Sequence, residues 1–73
     1  MMKRSLGLEL RKYRKTAGLT LQELADRVGV SKQCVYFWEH GIREPGVDRL
    51  WSLANALAVN VDSLITLKLE QGM

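Results

Sequence analysis

One cysteine, one proline and one histidine stand in the whole chain, and each scarcity excludes something. A lone cysteine cannot close an internal disulfide, and no Cys/His cluster offers a structural zinc site. With one histidine, no Cys/His/Asp constellation and no glycine-rich phosphate loop, no reaction can be assigned, so neither an enzyme nor a cofactor is expected. No apolar run approaches the roughly 18 residues of a membrane span. The opening Met1-Met-Lys-Arg-Ser5 is too short for a secretory signal. The expectation is a cytoplasmic protein with no membrane partner. Low-complexity stretches, repeats and linkers are also lacking, so residues 1–73 are expected to form a single domain. Without a second domain, no pocket for a small-molecule effector is expected either.

What is present suits a small folded domain. The 73 residues lie near the lower limit at which a chain buries enough apolar surface without staples. Hydrophobic residues make up 47% and charged residues 26%, an ordinary balance for a compact protein. Stability must come from the core alone or with help from dimerisation. The net charge of +3 is unevenly spread: residues 1–43 hold nine Lys/Arg against four Asp/Glu, and residues 44–73 hold two against four. A basic N-terminal half is consistent with a face for phosphates, although charge alone does not distinguish this from a solvated surface.

Hydrophobic periodicity predicts helices over about residues 5–16, 20–28, 31–40, 47–58 and 62–67. The first carries Leu6, Leu10, Tyr13 and Ala17 in one stripe and is followed by Gly18. Thr20-Leu-Gln-Glu23 is a capping box, opening a helix with Leu21, Leu24, Ala25 and Val28 inward. Gly29 supplies a permissive turn, and Ser31 is an N-cap for a third helix with Val35 and Trp38 facing the core. Two such helices joined by so brief a turn cross steeply, as in a helix-turn-helix. The fourth helix has Val47, Leu50, Ala54, Leu57 and Ala58 in its stripe, with Leu53 at the edge. Asp62 can cap the short fifth helix. From about residue 66 the chain is expected to fray into a tail, although Ile65-Thr-Leu-Lys-Leu-Glu70 also has the alternation of a strand.

This pattern resembles the lambdoid phage repressor/Cro, or XRE-like, helix-turn-helix family. The marks are Leu10 with Arg14, Gly18-Leu-Thr20, Gln22-Glu-Leu-Ala25, Val28-Gly-Val-Ser31, Trp38-Glu-x-Gly41, Pro45, and Leu50-x-x-Leu-Ala-x-Ala-Leu-Ala-Val59 leading to Leu64. They cover Leu6 to Leu64 in order and spacing. The resemblance implies an all-α, compact five-helix domain. It also implies a transcription regulator, most often a repressor, that binds a near-palindromic double-stranded DNA operator as a homodimer. An ion pair between Arg14 and Glu39 is implied as well, and both residues lie near apolar faces that must meet.

By position in the motif, Lys32, Gln33, Tyr36 and Phe37 are the base-reading candidates. Gln33 can bond two atoms of an adenine edge, and Lys32 suits guanine or a phosphate. Phe37 departs from the polar or basic residue commoner in the family. It suits a thymine methyl, a protein interface with Tyr36, or the domain's own core. Thr20, Leu21, Ser31, His40 and Arg43, with a Lys3/Arg4 arm, are the phosphate candidates. Some relatives carry Gln where this chain has Leu21, so one side-chain clamp is lost while the backbone N–H remains. Glu44 works against a strongly basic patch. Trp51, beside the inward stripe of the fourth helix, fits either a dimer interface or packing on the domain's own loops. Cys34 is read as a small packing or groove-facing residue. The rival function is a helix-turn-helix adaptor or antitoxin-like module whose main partner is a protein.

Overall fold

Serine and threonine caps mark where the first three helices begin, and two of them, Thr20 and Ser31, were read from the sequence. In the computed structural model, which describes residues 5–71, the Ser5 hydroxyl accepts from the Leu8 N–H at 3.4 Å. Thr20 Oγ1 accepts from Glu23 at 3.0 Å, and Ser31 Oγ from Cys34 at 3.1 Å. They open α1 (Leu6–Thr16), α2 (Leu21–Val28) and α3 (Lys32–Glu39); α4 (Val47–Leu57) and α5 (Val61–Gln71) follow. No strand occurs among the described residues. The fold is all-α with five helices, and the Lys3/Arg4 arm lies outside the described residues.

One apolar stripe from each helix converges on a shared core. Leu6 and Leu10 of α1 meet Leu24, Ala25 and Val28 of α2, and Val35 and Trp38 of α3. Leu50, Leu53, Ala54 and Leu57 of α4 and Leu64 and Leu67 of α5 complete it. α2 packs on both α3 and α4, α1 on α3 and α5, and α5 on α4. Pro45, one of the marks of the resemblance, lies in the loop between α3 and α4 and is fully buried.

Tertiary packing corrects several sequence expectations. Ala17 is exposed because α1 ends at Thr16, before its stripe would reach that residue. Val47, placed inward, is 54% exposed, because the buried face of α4 is centred on Leu50, Leu53, Ala54 and Leu57 and its first turn projects past the core. Leu53, placed at the edge, is fully buried. Asn60, not Asp62, caps the fifth helix: Asn60 Oδ1 accepts from the Asp62 N–H at 2.9 Å. That helix does not stop at residue 67, and the tail expected from about 66 is its continuation to Gln71. The alternating residues stay helical because Leu64 and Leu67, three apart, both reach the core, which a strand could not arrange.

Ala58 ends α4 in the left-handed region, with φ 56° and ψ 42°, and is exposed rather than part of the inward stripe. A Cβ in that conformation crowds the following carbonyl at a cost of about 1–2 kcal/mol. Glycine relieves that cost, partly offset by its greater freedom in the unfolded chain. Ala58→Gly is therefore expected to raise the unfolding free energy by about 1 kcal/mol. Urea melts of the two proteins measure it, and a loss of stability would contradict the conformation.

Candidate nucleic-acid interface

The second helix of the motif has two faces of opposite character. Val35, Trp38 and Glu39 are buried, whereas Lys32, Gln33, Tyr36 and His40 are exposed and Phe37 is half-buried. Gln33, Phe37 and His40 recur at helical spacing on the outward side, with Lys32 and Tyr36 beside them. The sequence placed all four base-reading candidates outward. The structure keeps Lys32, Gln33 and Tyr36 open and draws Phe37 partly inward.

Three hydrogen bonds anchor the inner face. Arg14 Nε donates to Glu39 Oε2 at 2.7 Å and Nη2 to Oε1 at 3.0 Å, a two-pronged pair with side chains 11% and 3% exposed. The remaining arm, Nη1, donates to the Leu19 carbonyl at 3.0 Å. One guanidinium thus ties the end of α1, the turn into α2 and the last turn of α3 together. The Glu39 hydrogen bonds hold the Arg14 pKa above its already high ordinary value, against the opposing effect of burial. Arg49 adds a tie the sequence reading missed: its Nη1 donates to the Val28 carbonyl at 3.3 Å, at the C-terminus of α2 where a cation is favoured. No local pattern marks Arg49, because its partner lies 21 residues away.

The helix N-termini differ in what they leave free. At α2 the capping box is closed, with the Thr20 N–H donating to Glu23 Oε1 at 2.8 Å. The Thr20 backbone and side-chain hydrogen bonds hold the Glu23 carboxyl below the usual carboxylate range. The Thr20 amide, counted as a phosphate donor, is therefore already occupied by the carboxylate. Only its hydroxyl proton remains for an external anion. Leu21 is half-buried against the core, so its side chain serves packing. Ser31 is exposed, and its hydroxyl accepts from Cys34 while its own proton stays available.

Beyond α3 the chain folds back. The Ile42 and Arg43 N–H groups both donate to the Phe37 carbonyl, at 3.0 and 3.4 Å. Gly41, with φ 71°, makes that reversal possible. The Arg43 guanidinium consequently lies 5.8 Å from the Phe37 ring centroid, and Tyr36 meets the same ring edge-on at 6.3 Å. Tyr36 in turn stacks on His40, with centroids 4.0 Å apart. Glu44, expected to weaken the basic surface, instead reaches Lys68 of α5 at 3.7 Å. Trp51 is 55% exposed, one turn from exposed Val47 on the same helix face. It is not covered by the domain's own loops.

Among the described residues no group of three or more His, Cys, Asp or Glu side chains converges as a metal site. No described helix is long and apolar enough to cross a membrane. A buried-faced second helix, a permissive turn before it and an outward stripe of polar and aromatic side chains define a helix-turn-helix domain of the DNA-binding type. The chain belongs to the helix-turn-helix family, whose model matches residues 10–64, and within it to the XRE-like, phage-repressor type. That family comprises DNA-binding transcriptional regulators, not enzymes.

The chain is 37% identical over 65 residues to the HTH-type transcriptional regulator y4dJ of Sinorhizobium fredii, covering 89% of this chain and 84% of that one. It is 38% identical over 56 residues to the HTH-type regulator YqaE of Bacillus subtilis, covering 77% of this chain but only 48% of YqaE. The chain thus spans about half the length of that relative. The solution structure of the DNA-binding domain of the P22 c2 repressor superposes with a TM-score of 0.84 at 31% identity, over 89% of this chain and 86% of that one. The same repressor in complex with a synthetic operator superposes with a TM-score of 0.80 at 31% identity, over 85% and 94%.

Proposed function

We propose that this protein is a cytoplasmic transcriptional repressor that reads double-stranded DNA with α3, as a dimer on a near-palindromic operator. The observation that supports this best is the division of α3 into a clamped inner face and an open outer one. The Arg14–Glu39 pair fixes the helix from behind, leaving Lys32, Gln33 and Tyr36 free to meet base edges. Ser31, the Thr20 hydroxyl, the Leu21 amide, His40 and Arg43 ring that face and suit phosphates. Trp51 and Val47, exposed together, suit a partner protomer, since an amphipathic ring in an open patch is a frequent interface anchor. The fold it shares with the P22 c2 repressor, whose structure includes a synthetic operator, supports the same reading.

Selection from a random duplex pool at about 0.15 M salt tests it. A two-fold-symmetric motif with half-sites about one helical turn apart is expected. In the enriched duplex, Gln33→Ala is expected to lose about 1–3 kcal/mol of discrimination at one base pair and leave the salt slope unchanged. Arg43→Ala is expected to weaken all sequences alike and lower that slope by about one unit. Equal loss of base preference from both changes would overturn the division of roles. The second reading, a protein-binding adaptor or antitoxin-like module, is favoured by the aromatic cluster of Tyr36, Phe37 and His40 on the same face. Absence of any enriched motif would shift the weight to it.

A further inference from the structure

We infer that the outer face of α3 carries a receptor for the C5-methyl group of a pyrimidine, formed by Phe37 and Cys34 beside Gln33. The inference deepens the DNA-reading proposal above and rests on it. A pocket of about 180 Å³ opens on this face, lined by Ser31, Gln33, Cys34, Phe37 and Arg43. Its apolar surface comes from the half-buried Phe37 ring and the half-buried Cys34. The ring does not hang free. The chain reversal at Gly41 brings Arg43 over one part of it at 5.8 Å, and the Tyr36 ring meets it edge-on at 6.3 Å.

The chemistry of the walls narrows the occupant. A phosphate prefers donors around it and would leave the phenyl wall and the cysteine without a partner. The major-groove edge of a base pair displays one apolar group only, the C5-methyl of thymine; 5-methylcytosine carries the same group at the same place. Gln33 at the rim offers an amide to a neighbouring base edge while the methyl lies against Phe37 and Cys34. Arg43 at the mouth supplies positive charge where the strand backbone must pass. An apolar wall thus sits next to a base-reading amide and under a phosphate-seeking guanidinium. That combination suits a methylated pyrimidine of duplex DNA and does not suit a free anion.

The test uses the full chain and the duplex enriched from the random pool. Every dT of one half-site is replaced in turn by dU, and every dC by 5-methyl-dC, and the affinity of each duplex is measured. One position is expected at which the methyl group is worth about fourfold in affinity, the effect of burying a single methyl. A fourfold loss at a dT identifies thymine as the source, and a fourfold gain at a dC identifies methylcytosine. Phe37→Ala removes one wall and Cys34→Leu crowds the other; both are expected to abolish the effect at that position while other base preferences persist. No methyl-dependent position, or one unchanged in both variants, overturns the receptor while leaving α3 as a DNA reader. Failure to retain any duplex overturns the DNA reading and the receptor with it.

Discussion

Glu39→Ala is expected to lower the unfolding free energy by about 3–5 kcal/mol, the cost of leaving one member of a buried ion pair unpaired. A domain of this length has a total of roughly 4–11 kcal/mol to lose. The variant should therefore be marginally folded at room temperature, with its midpoint lowered by at least about 12 °C. The stranded group would be Arg14, whose three hydrogen bonds reach only Glu39 and the Leu19 carbonyl. The cost arises from the stranded charge more than from lost attraction. Replacing both partners with apolar residues, Arg14→Met with Glu39→Leu, should accordingly recover most of the loss. Urea titration followed by the fluorescence of the neighbouring buried Trp38 measures both variants. A loss below about 1 kcal/mol for Glu39→Ala would make the pair equivalent to a surface bridge.

The raised pKa of Arg14 adds no pH dependence in ordinary buffers. A raised basic group stabilises fully below its unfolded value and loses that contribution only as pH rises through the folded one. Both lie above the range in which the protein would be studied. For Glu23 the sign is opposite. Its lowered carboxyl pKa contributes stability above the usual carboxylate range and loses it as pH falls through the depressed value.

Gly7→Ala is expected to destabilise by about 2 kcal/mol, although alanine is the better helix former by about 1 kcal/mol. A Cβ built on Gly7 would lie 2.5 Å from the Glu39 carbonyl oxygen and 2.6 Å from that of Trp38. Both obstacles are backbone, so no rotamer change relieves them. To reach ordinary contact distances α1 and α3 would have to separate by about an ångström. The same separation would stretch the bonds between Arg14 and Glu39, which join these two helices. The loss should therefore exceed that of Leu8→Ala, an exposed site on the same helix. Circular dichroism melts of the two variants decide the matter. A rise in stability for Gly7→Ala would show that the helices are not in close approach at this point.

The close approach at Gly7 was not legible in the sequence, where a glycine inside an apolar helical stripe has no distinguishing neighbour. The helix-turn-helix itself was legible because its signals are local. Thr20 with Glu23, Gly29 before Ser31, and the stripes of α2 and α3 each act within a few residues, where capping and periodicity operate. The Arg14–Glu39 pair spans 25 residues and came from the family resemblance; its third bond to Leu19 came only from the structure. The helical end of the chain went the other way. Ile65 to Glu70 has the alternation of a strand, and the anchoring of Leu64 and Leu67 in the core made it helix.

The candidate interface divides in the same manner. Sequence spacing, with Val35 and Trp38 facing the core, put Lys32, Gln33, Tyr36 and Phe37 on the outer side of α3 and left the domain's own core open to Phe37. Packing in three dimensions decided that Phe37 is half-covered beneath Arg43, that Glu23 occupies the Thr20 amide, and that Glu44 turns to Lys68. Helical period and capping are set by neighbours along the chain, so the sequence alone determined the helix-turn-helix, while packing settled the exposed first turn of α4 and the length of α5. Which backbone a glycine touches, or where a reversed loop lays an arginine, depends on distances between residues far apart in the chain, and only the folded tertiary structure could decide them.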